Sequence, residues 1–250
     1  MSSEAFGELS EVGLHPDGWL AGIFGRPVWR VHRREGSLPF GVLASATAGF
    51  AYAKHDVSQV EIVSGLVDKG FRIVDTSLTF EGGRLHGLPS SHVLRHAKPK
   101  DEQGVRDIAR SAFRFSRFHL DPKVPLNLAN TIKAEWAGNF FSGQRGDGMV
   151  VAESGGRVVG FLQSIWSSKN VLIVDLIGVH PDCQGRGLGK ALILHASRHG
   201  TGDGRVPSAI RVGTQAANTL SVRLYESLGL RLCSAQYVLH FHCSQRTTQP

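Results

Sequence analysis

Apolar residues follow helical and strand periods along most of this chain. Residues 104–117 place apolar side chains three or four positions apart, and residues 126–141 do the same, so the spacing predicts two helices. Met149–Ala152 and Val158–Ile165 are apolar runs of strand length. The Gly155-Gly156 pair between them predicts a hairpin turn.

The pattern that follows predicts strands alternating with helices. It predicts a strand at Val171–Val179, a helix at Arg186–His199, a strand at Ala209–Gly213, a helix at Ala217–Leu228 and one or two strands over Leu230–Cys243. The whole order is helix, helix, three strands, helix, strand, helix, strand. It predicts an α/β (α+β) fold in which a mixed sheet is flanked by helices on both faces.

The first part of the chain is less regular. We expect loops and one or two short strands over residues 1–40, a strand over 41–53, a helix over 55–69 and a strand at Phe71–Thr76. These elements make a small strand–helix–strand unit.

A break in the pattern separates this unit from the rest. Residues 81–103 are rich in glycine, proline and charge, which is typical of a connection. The predicted organisation is a small N-terminal α/β domain over residues 1–100 and a larger domain over residues 101–250.

Charge and cysteine content narrow the classes of partner. The net charge is +7 with histidine neutral, and the pI is about 9.7, which suits a phosphate-bearing ligand. The basic residues lie in short scattered groups, so we expect no nucleic-acid partner. Three cysteines without a paired spacing predict neither a disulfide framework nor a metal site.

Hydropathy bears on location and assembly. No apolar run reaches the roughly 18 residues needed to cross a bilayer, and the N-terminus does not have the form of a signal peptide. We therefore expect no membrane partner and a cytoplasmic protein. The apolar strand Tyr237–Phe241 could pair between subunits, so a homodimer is one option.

The motif with the clearest chemistry lies between the strand Val171–Val179 and the next helix. Gly185, Gly187 and Gly189 let backbone N–H groups approach phosphate oxygens, and the helix N-terminus favours an anion. The spacing fits neither the P-loop nor the dinucleotide-binding glycine pattern. The segment predicts a pyrophosphate site of another kind; the alternative is a glycine-rich turn without a ligand.

The segment Gln184–Gly189 has the form Q-x-x-G-x-G. It resembles the pyrophosphate-binding motif of the GNAT superfamily of acyl-CoA N-acyltransferases. That resemblance implies acetyl-CoA as the cosubstrate. The implied contacts in and before the motif are Ile177, Val179, Gln184, Gly185, Arg186, Gly187, Leu188, Gly189 and Lys190.

A second stretch, Asn218–Leu230, resembles a late helix of the same superfamily. The resemblance implies that Asn218 and Ser221 contact the CoA arm and that Tyr225 lies near the thioester sulfur. Positions 218, 221 and 225 share one helix face because they are three and four apart. An ordinary core aromatic residue is the alternative for Tyr225.

The superfamily resemblance also implies direct attack of a neutral amine on the acetyl carbonyl, with backbone N–H groups between Ile177 and Val179 facing the oxyanion. Tyr225 is the candidate acid for the leaving thiolate, because a phenol with a pKa near 10 is protonated at neutral pH. Strand alternation predicts that Asp175 and Ile177 share a face. The candidate bases, each with a structural role as its alternative, are Asp175, His119, Asp121 and His180.

A narrower resemblance concerns the acceptor. Phe115–Pro122, Trp136 and Arg211–Asn218 resemble segments of bacterial dTDP-fucosamine acetyltransferases, which also carry a small N-terminal domain. It implies acetylation of the amino group of a nucleotide-linked (dTDP or UDP) amino-deoxy sugar. The implied substrate contacts are Arg117 with a diphosphate and His119 or Asp121 with the sugar amine.

Two other functions stay open at this point. The chain could acetylate a protein N-terminus, a peptide or a small amine, or it could be a CoA-binding module without catalysis. Turnover on different acceptors separates the first group from the nucleotide sugar. CoA binding without turnover would indicate the module.

Overall fold

The computed structural model describes residues 13–32, 49–87, 91–202 and 204–243. The predicted strand over residues 41–53 falls partly outside these ranges, and its described part lies in a strand that starts at Gly49.

The described residues form ten strands and six α-helices. The strands are β1 (Leu14–Pro16), β2 (Val28–Val31), β3 (Gly49–Asp56), β4 (Arg72–Gly83), β5 (Val93–His96), β6 (Gly148–Ser154), β7 (Arg157–Trp166), β8 (Val171–Val179), β9 (Ala209–Gln215) and β10 (Arg231–Cys243). The helices are α1 (Gly18–Phe24), α2 (Val60–Asp68), α3 (Glu102–Ala112), α4 (Leu126–Gly138), α5 (Leu188–His199) and α6 (Thr219–Ser227). The predicted order of elements from α3 onwards is confirmed.

Helix boundaries differ from the predicted ones for local backbone reasons. Helix α3 stops at Ala112 instead of residue 117, because Phe113 is extended. Helix α5 begins at Leu188 instead of Arg186, because Gly187 has a left-handed conformation. Helix α1 was not predicted; the Asp17 carboxylate caps it by accepting from the Leu20 N–H at 2.9 Å.

The ten described strands form one sheet in the order β1-β2-β3-β10-β4-β9-β8-β7-β6-β5. The pairs β2–β3 and β8–β9 are parallel, and the other neighbours are antiparallel. The predicted mixed sheet flanked by helices is therefore confirmed.

Strand β4 comes from the first hundred residues but lies between β9 and β10. It pairs with β9 over seven residue pairs, from Ser77–Gln215 to Gly83–Ala209. Hydrogen bonds therefore run continuously across the predicted boundary at residue 100. The division into two domains stays a prediction.

Helices cover both faces of the sheet. On one face, Leu192 of α5 packs in a cluster with Val174 of β8. On the other face, Ile108 of α3 packs with Phe161 of β7, and α1 and α4 extend this layer over Phe50 of β3. The two faces thus carry separate cores, one under α5 and α6 and one under α1, α3 and α4.

Strand β10 contradicts the expectation that Tyr237–Phe241 pairs between subunits. These residues pair with β3 on one side and, through Tyr237, Val238, Leu239 and His240, with β4 on the other. Both edges are engaged within the chain, so this strand offers no edge to a second subunit. Within the described residues, none of the helices has the length and apolar character needed to span a membrane.

Candidate functional site

The glycine-rich loop forms an open concavity at the N-terminus of α5. Gly185 and Gly187 have φ values of 75° and 78°, a region that favours glycine. A Cβ atom built on either residue would meet no protein atom within 4 Å. The space beside these two residues is therefore free of protein and suits a phosphate group next to backbone N–H donors.

Side chains of the loop hold its shape. The Gln184 amide donates to the Val179 carbonyl at 3.1 Å, and Arg186 donates to the Asp182 carbonyl at 3.0 Å. Lys190, one turn into α5, lines a cavity of about 450 Å³ together with Gly187. Of the residues predicted to contact CoA, Gln184 and Arg186 stabilise the loop through these hydrogen bonds, and Lys190 faces the cavity.

Strands β8 and β9 separate beside this loop. They pair only from Val171–Ala209 to Val174–Val212, whereas β8 continues to Val179 and β9 to Gln215. The β9-facing edge of residues 175–179, which includes Ile177 and Val179, therefore has no neighbouring strand. Such a gap can hold an extended ligand that hydrogen-bonds to free backbone groups.

A register shift in β8 places Asp175 and Ile177 on opposite faces. Gln163 of β7 pairs with Leu176, but Ser164 pairs with Val174, so Asp175 is an extra residue. Ile177 packs in the cluster under α5. The prediction that Asp175 and Ile177 share a face was wrong, because a bulge breaks the alternation of an ideal strand.

The carboxylate of Asp175 lies against α4. It accepts hydrogen bonds from Trp136 Nε1 at 2.8 Å and from Arg145 at 2.7 and 2.5 Å. Its side chain is 8% exposed. These donors hold the carboxylate at the place where the gap opens towards the α4 face.

Helix α6 brings its predicted residues together. The Asn218 side chain caps the helix by accepting from the Ser221 N–H at 3.3 Å. Tyr225 is buried, with its ring 5.8 Å from that of Phe80. Burial raises the pKa of Tyr225 to about 12, against the opposing effect of a hydrogen bond with Ser221. The phenol is therefore protonated at any physiological pH.

A second cavity, of about 500 Å³, lies on the α4 face of the sheet. Trp136 and Arg145, which both donate to Asp175, line it, so this cavity lies beside the residues that hold the Asp175 carboxylate. Its aromatic lining consists of Trp19, Tyr52 and Trp136, and its cationic lining of Arg30, Lys54, Arg117 and Arg145. Residues before position 100 supply about half of these side chains.

The three candidate residues in the loop between α3 and α4 are Arg117, His119 and Asp121, and each has different surroundings. Arg117 lines the second cavity. His119 Nε2 donates to the Asn130 side-chain oxygen at 2.9 Å, and its Nδ1 lies 2.6 Å from the Ser116 hydroxyl. Burial lowers the pKa of His119, so its neutral form is favoured.

Asp121 is buried beneath β10. Its Oδ2 accepts from His240 Nδ1 and from His242 Nε2, both at 2.7 Å. The ligand atoms of these three residues lie within 4.8 Å of one another, a spacing that also suits a metal ion. However, Arg26 lies 3.2 Å from His242 Nδ1 and can only donate, so His242 Nε2 carries a proton and faces Asp121. This favours a hydrogen-bonded cluster over a metal centre.

Known proteins match this chain in sequence and in fold. The profile of the "Acetyltransferase (GNAT) family" matches residues 103–230, just over half of the chain. The chain belongs to the GNAT acetyltransferase family. Members of this family are acyltransferases that use acetyl-CoA as cosubstrate.

Among curated GNAT relatives, the spore coat polysaccharide biosynthesis protein SpsD of Bacillus subtilis (strain 168) is 32% identical over 152 residues, which cover 61% of this chain and 51% of SpsD. The mycothiol acetyltransferase of Actinosynnema mirum is 30% identical over 156 residues, covering 61% of this chain and 49% of that protein. This chain therefore spans about half of the length of these relatives.

Solved GNAT structures share the fold at low sequence identity. The GCN5-related N-acetyltransferase of Sphaerobacter thermophilus superposes with a TM-score of 0.56 and 16% identity, covering 87% of this chain and 73% of that one. The one from Kribbella flavida gives 0.56 and 13%, covering 86% and 80%. Both cover far more than residues 103–230, so the N-terminal strands also have counterparts in these folds.

The sequence patterns did not indicate the cavity residues Arg30, Tyr52, Lys54 and Arg145. Alternation within β3 does place Tyr52 and Lys54 on one face. Nothing local shows that this face meets α4, because that depends on how β2 and β3 join the sheet.

The Asp121 cluster makes stability depend on pH. Burial lowers the pKa of His240 to about 4, although the bond to Asp121 opposes this. A histidine in the unfolded chain has a pKa of about 6.5, so between about pH 6.5 and pH 4 the unfolded chain binds more protons than the folded chain does. The contribution of His240 to the free energy of unfolding is therefore lost as pH falls from about 6.5 to about 4. Burial raises the pKa of Asp121, but the two histidine bonds outweigh it and hold that pKa below its usual range. The contribution of the ionised Asp121 carboxylate to the free energy of unfolding is lost at still lower pH.

We therefore expect the urea midpoint of unfolding to fall between pH 6.5 and pH 4.5, and to fall less steeply in His240→Asn, which keeps a donor for Asp121. Unfolding curves at four pH values from 7.5 to 4.5 measure this. Equal slopes for the two proteins would contradict the assignment.

Proposed function

We propose that this GNAT acetyltransferase transfers the acetyl group of acetyl-CoA to the amino group of a nucleotide-linked amino-deoxy sugar. One observation carries the proposal. The aromatic and cationic cavity is lined by Trp136 and Arg145, which hold Asp175 at the start of the part of β8 that does not pair with β9, and the glycine loop with its open space follows the other end of that part. In the proposed arrangement the donor and the acceptor meet along this part of β8.

The donor side uses the glycine loop and the free edge of β8. The cradle for the pyrophosphate is formed by residues 184–190, and Ile177 and Val179 supply backbone groups along the gap. In the proposed reaction a backbone N–H between Ile177 and Val179 donates to the oxyanion. Asn218 and Ser221 are proposed to contact the CoA arm from the N-terminus of α6.

The reaction forms one bond and breaks one. The neutral amine nitrogen attacks the acetyl carbonyl carbon, a C–N bond forms, and the C–S bond breaks to release CoA as a thiolate. Tyr225 is the proposed acid that protonates this sulfur, since its phenol is protonated over the working pH range.

The amine must give up a proton before or during attack. Asp175 is the proposed proton acceptor because it is the carboxylate at the gap, and its two donors line the acceptor cavity. His119 is a second proposed acceptor, held in its neutral form between Ser116 and Asn130. The substrate contacts proposed for the loop are Arg117 with a phosphate and His119 with the sugar. Asp121, the other predicted sugar contact, is not retained, because it is buried and its carboxylate is held by His240 and His242.

Aromatic rings beside polar side chains are a common way to bind a sugar ring, and Trp19, Tyr52 and Trp136 provide such rings. The likeness to SpsD, which is named for polysaccharide biosynthesis, supports a sugar acceptor. The likeness to mycothiol acetyltransferase favours a second candidate, a small-molecule amine that is not a nucleotide sugar.

Release of CoA, measured with a thiol reagent, tests the proposal. The full chain is given acetyl-CoA with dTDP-4-amino sugars, with dTDP- and UDP-3-amino sugars, with simple amines or with N-terminal peptides. We expect acceptor-dependent release with a nucleotide amino sugar and only the background rate without acceptor. Turnover on peptides or simple amines alone would replace this proposal with one of the alternatives. CoA binding without turnover on any acceptor would leave a binding module.

A further inference from the structure

The cationic part of the acceptor cavity has an organisation of its own. We infer that Arg117, Lys54 and Arg30 form an anion subsite that binds a phosphate or diphosphate group of the acceptor, and that the N-terminal strands thereby set acceptor specificity. The inference deepens the proposed function and rests on it for the identity of the acceptor, but not for the binding of an anion.

Arg117 is oriented for a ligand rather than paired with an acid. Its guanidinium lies 3.9 Å from the centre of the Tyr52 ring and 4.5 Å from that of Phe118. Within the described residues, Nη1 is buried without a hydrogen-bond partner, and no ion pair involves this side chain. A guanidinium stacked between rings keeps its donors in one plane, which suits an oxyanion with several acceptor oxygens.

The nearby acid is already engaged. The Asp17 carboxylate accepts from the Leu20 N–H through Oδ1 and from the Tyr52 hydroxyl, at 2.8 Å, through Oδ2. It therefore orients the ring on which Arg117 stacks instead of pairing with Arg117. The Arg117 guanidinium also hydrogen-bonds with the Tyr52 side chain and is attracted by the Asp17 carboxylate, and Nη1 is the donor that is left without a partner.

Lys54 and Arg30 add charge to the same wall. Arg30 pairs with Tyr52 across β2 and β3, and Lys54 is two residues further along β3 on the same face. Burial lowers the pKa of Lys54 to about 8, and the charges of Arg117 and Arg30 add to this effect, while Asp75 opposes it. The three cations are thus opposed by two carboxylates, Asp17 and Asp75, which leaves an excess of positive charge that a bound anion would stabilise.

The subsite lies mostly outside the segment that the GNAT profile matches. Arg30 and Lys54 precede residue 103, and only Arg117 falls within residues 103–230. The same cavity is lined by Trp136 and Arg145, which donate to Asp175. An acceptor with its amine near Asp175 and its phosphate at β2 and β3 would occupy this cavity. The N-terminal strands would then bind the phosphate of the acceptor, and the GNAT segment would catalyse the transfer of the acetyl group.

Binding of dTDP, thymidine and inorganic pyrophosphate to the full chain tests the subsite. Calorimetry is performed with saturating CoA present, so that the pyrophosphate site at α5 is occupied. We expect dTDP and pyrophosphate to bind and thymidine to bind at least about tenfold more weakly, since charged hydrogen bonds contribute most of the affinity. Arg117→Met, Lys54→Met and Arg30→Met should each weaken dTDP binding about tenfold or more, with CoA affinity unchanged.

Arg157→Met, which removes an exposed charge at the start of β7, is the matched control and should bind dTDP like the unmodified chain. If Arg117→Met fails to fold, the dTDP affinities of Lys54→Met and Arg30→Met still test the subsite. Equal affinity for thymidine and dTDP, or unchanged dTDP affinity in all three variants, would overturn the subsite. Anion binding that depends on these residues, without acetylation of any amino sugar, would overturn the proposed function and leave the subsite standing.

Discussion

Replacing Tyr225 with phenylalanine is expected to lower kcat about a hundredfold, the size of effect that general acid catalysis usually contributes. The hydroxyl is the only atom removed, and the ring still fills its place against Phe80. Acetyl-CoA should bind as before, because the glycine loop and α5 are untouched. Steady-state CoA release and the Kd for CoA measure the two effects separately.

The pH profile adds a second test of the role of Tyr225. Burial raises its pKa to about 12, so the phenol stays protonated from pH 6 to pH 9 and loses its proton only well above that range. Between pH 6 and pH 9, kcat of the unmodified protein should therefore show no pH-dependent decrease that is absent from Tyr225→Phe. Ser221→Ala, which deletes the hydroxyl partner but keeps the phenol, should retain most of kcat at saturating acetyl-CoA, although loss of the proposed contact with the CoA arm raises the KM for acetyl-CoA. Full activity in Tyr225→Phe would make this residue an ordinary core aromatic.

Replacing Gly187 with valine is expected to weaken CoA binding at least tenfold and to abolish turnover at ordinary acetyl-CoA concentrations. Valine is strained at a φ of 78°, at a cost on the order of 1–2 kcal/mol. A Cβ at this position meets no protein atom within 4 Å, so the added side chain would occupy the space proposed for phosphate. Calorimetric titration with CoA measures the change.

Gly155→Val is the matched control for backbone strain. Gly155 has a φ of 57° in the β6–β7 turn, and a Cβ there also meets nothing within 4 Å. Both variants should lose similar stability in thermal unfolding, but only Gly187→Val should lose CoA affinity. Similar CoA affinities for the two proteins would show that the loop at Gly187 is a turn without a ligand.

Local features of the fold were predictable because a short window of sequence encodes them. Strand β8 has the predicted ends, since a run of apolar and β-branched residues stops before Pro181. The glycine loop follows from Gly185 and Gly187, which favour left-handed conformations locally, although the same conformation at Gly187 starts α5 at Leu188 and not at the predicted Arg186. Asn218, Ser221 and Tyr225 share a helix face because of helical period alone.

Features that depend on strand register escaped prediction. The bulge at Asp175 exists only in relation to Gln163 and Ser164 of the neighbouring strand, so alternation along β8 gave the wrong face. The absence of a free edge on Tyr237–Phe241 likewise depends on the strands that pair beside it.

Residues close together in the chain were enough to predict the family, which the profile match confirms, and to predict the donor site and the acid for the leaving thiolate, which stay predictions. Only the tertiary structure placed β4 between β9 and β10, joined Asp121 to His240 and His242 across about 120 positions, and assembled Arg30 and Lys54 with Arg117 into one wall. Contacts over such separations follow from the pairing and packing of whole elements, which no local period or propensity encodes.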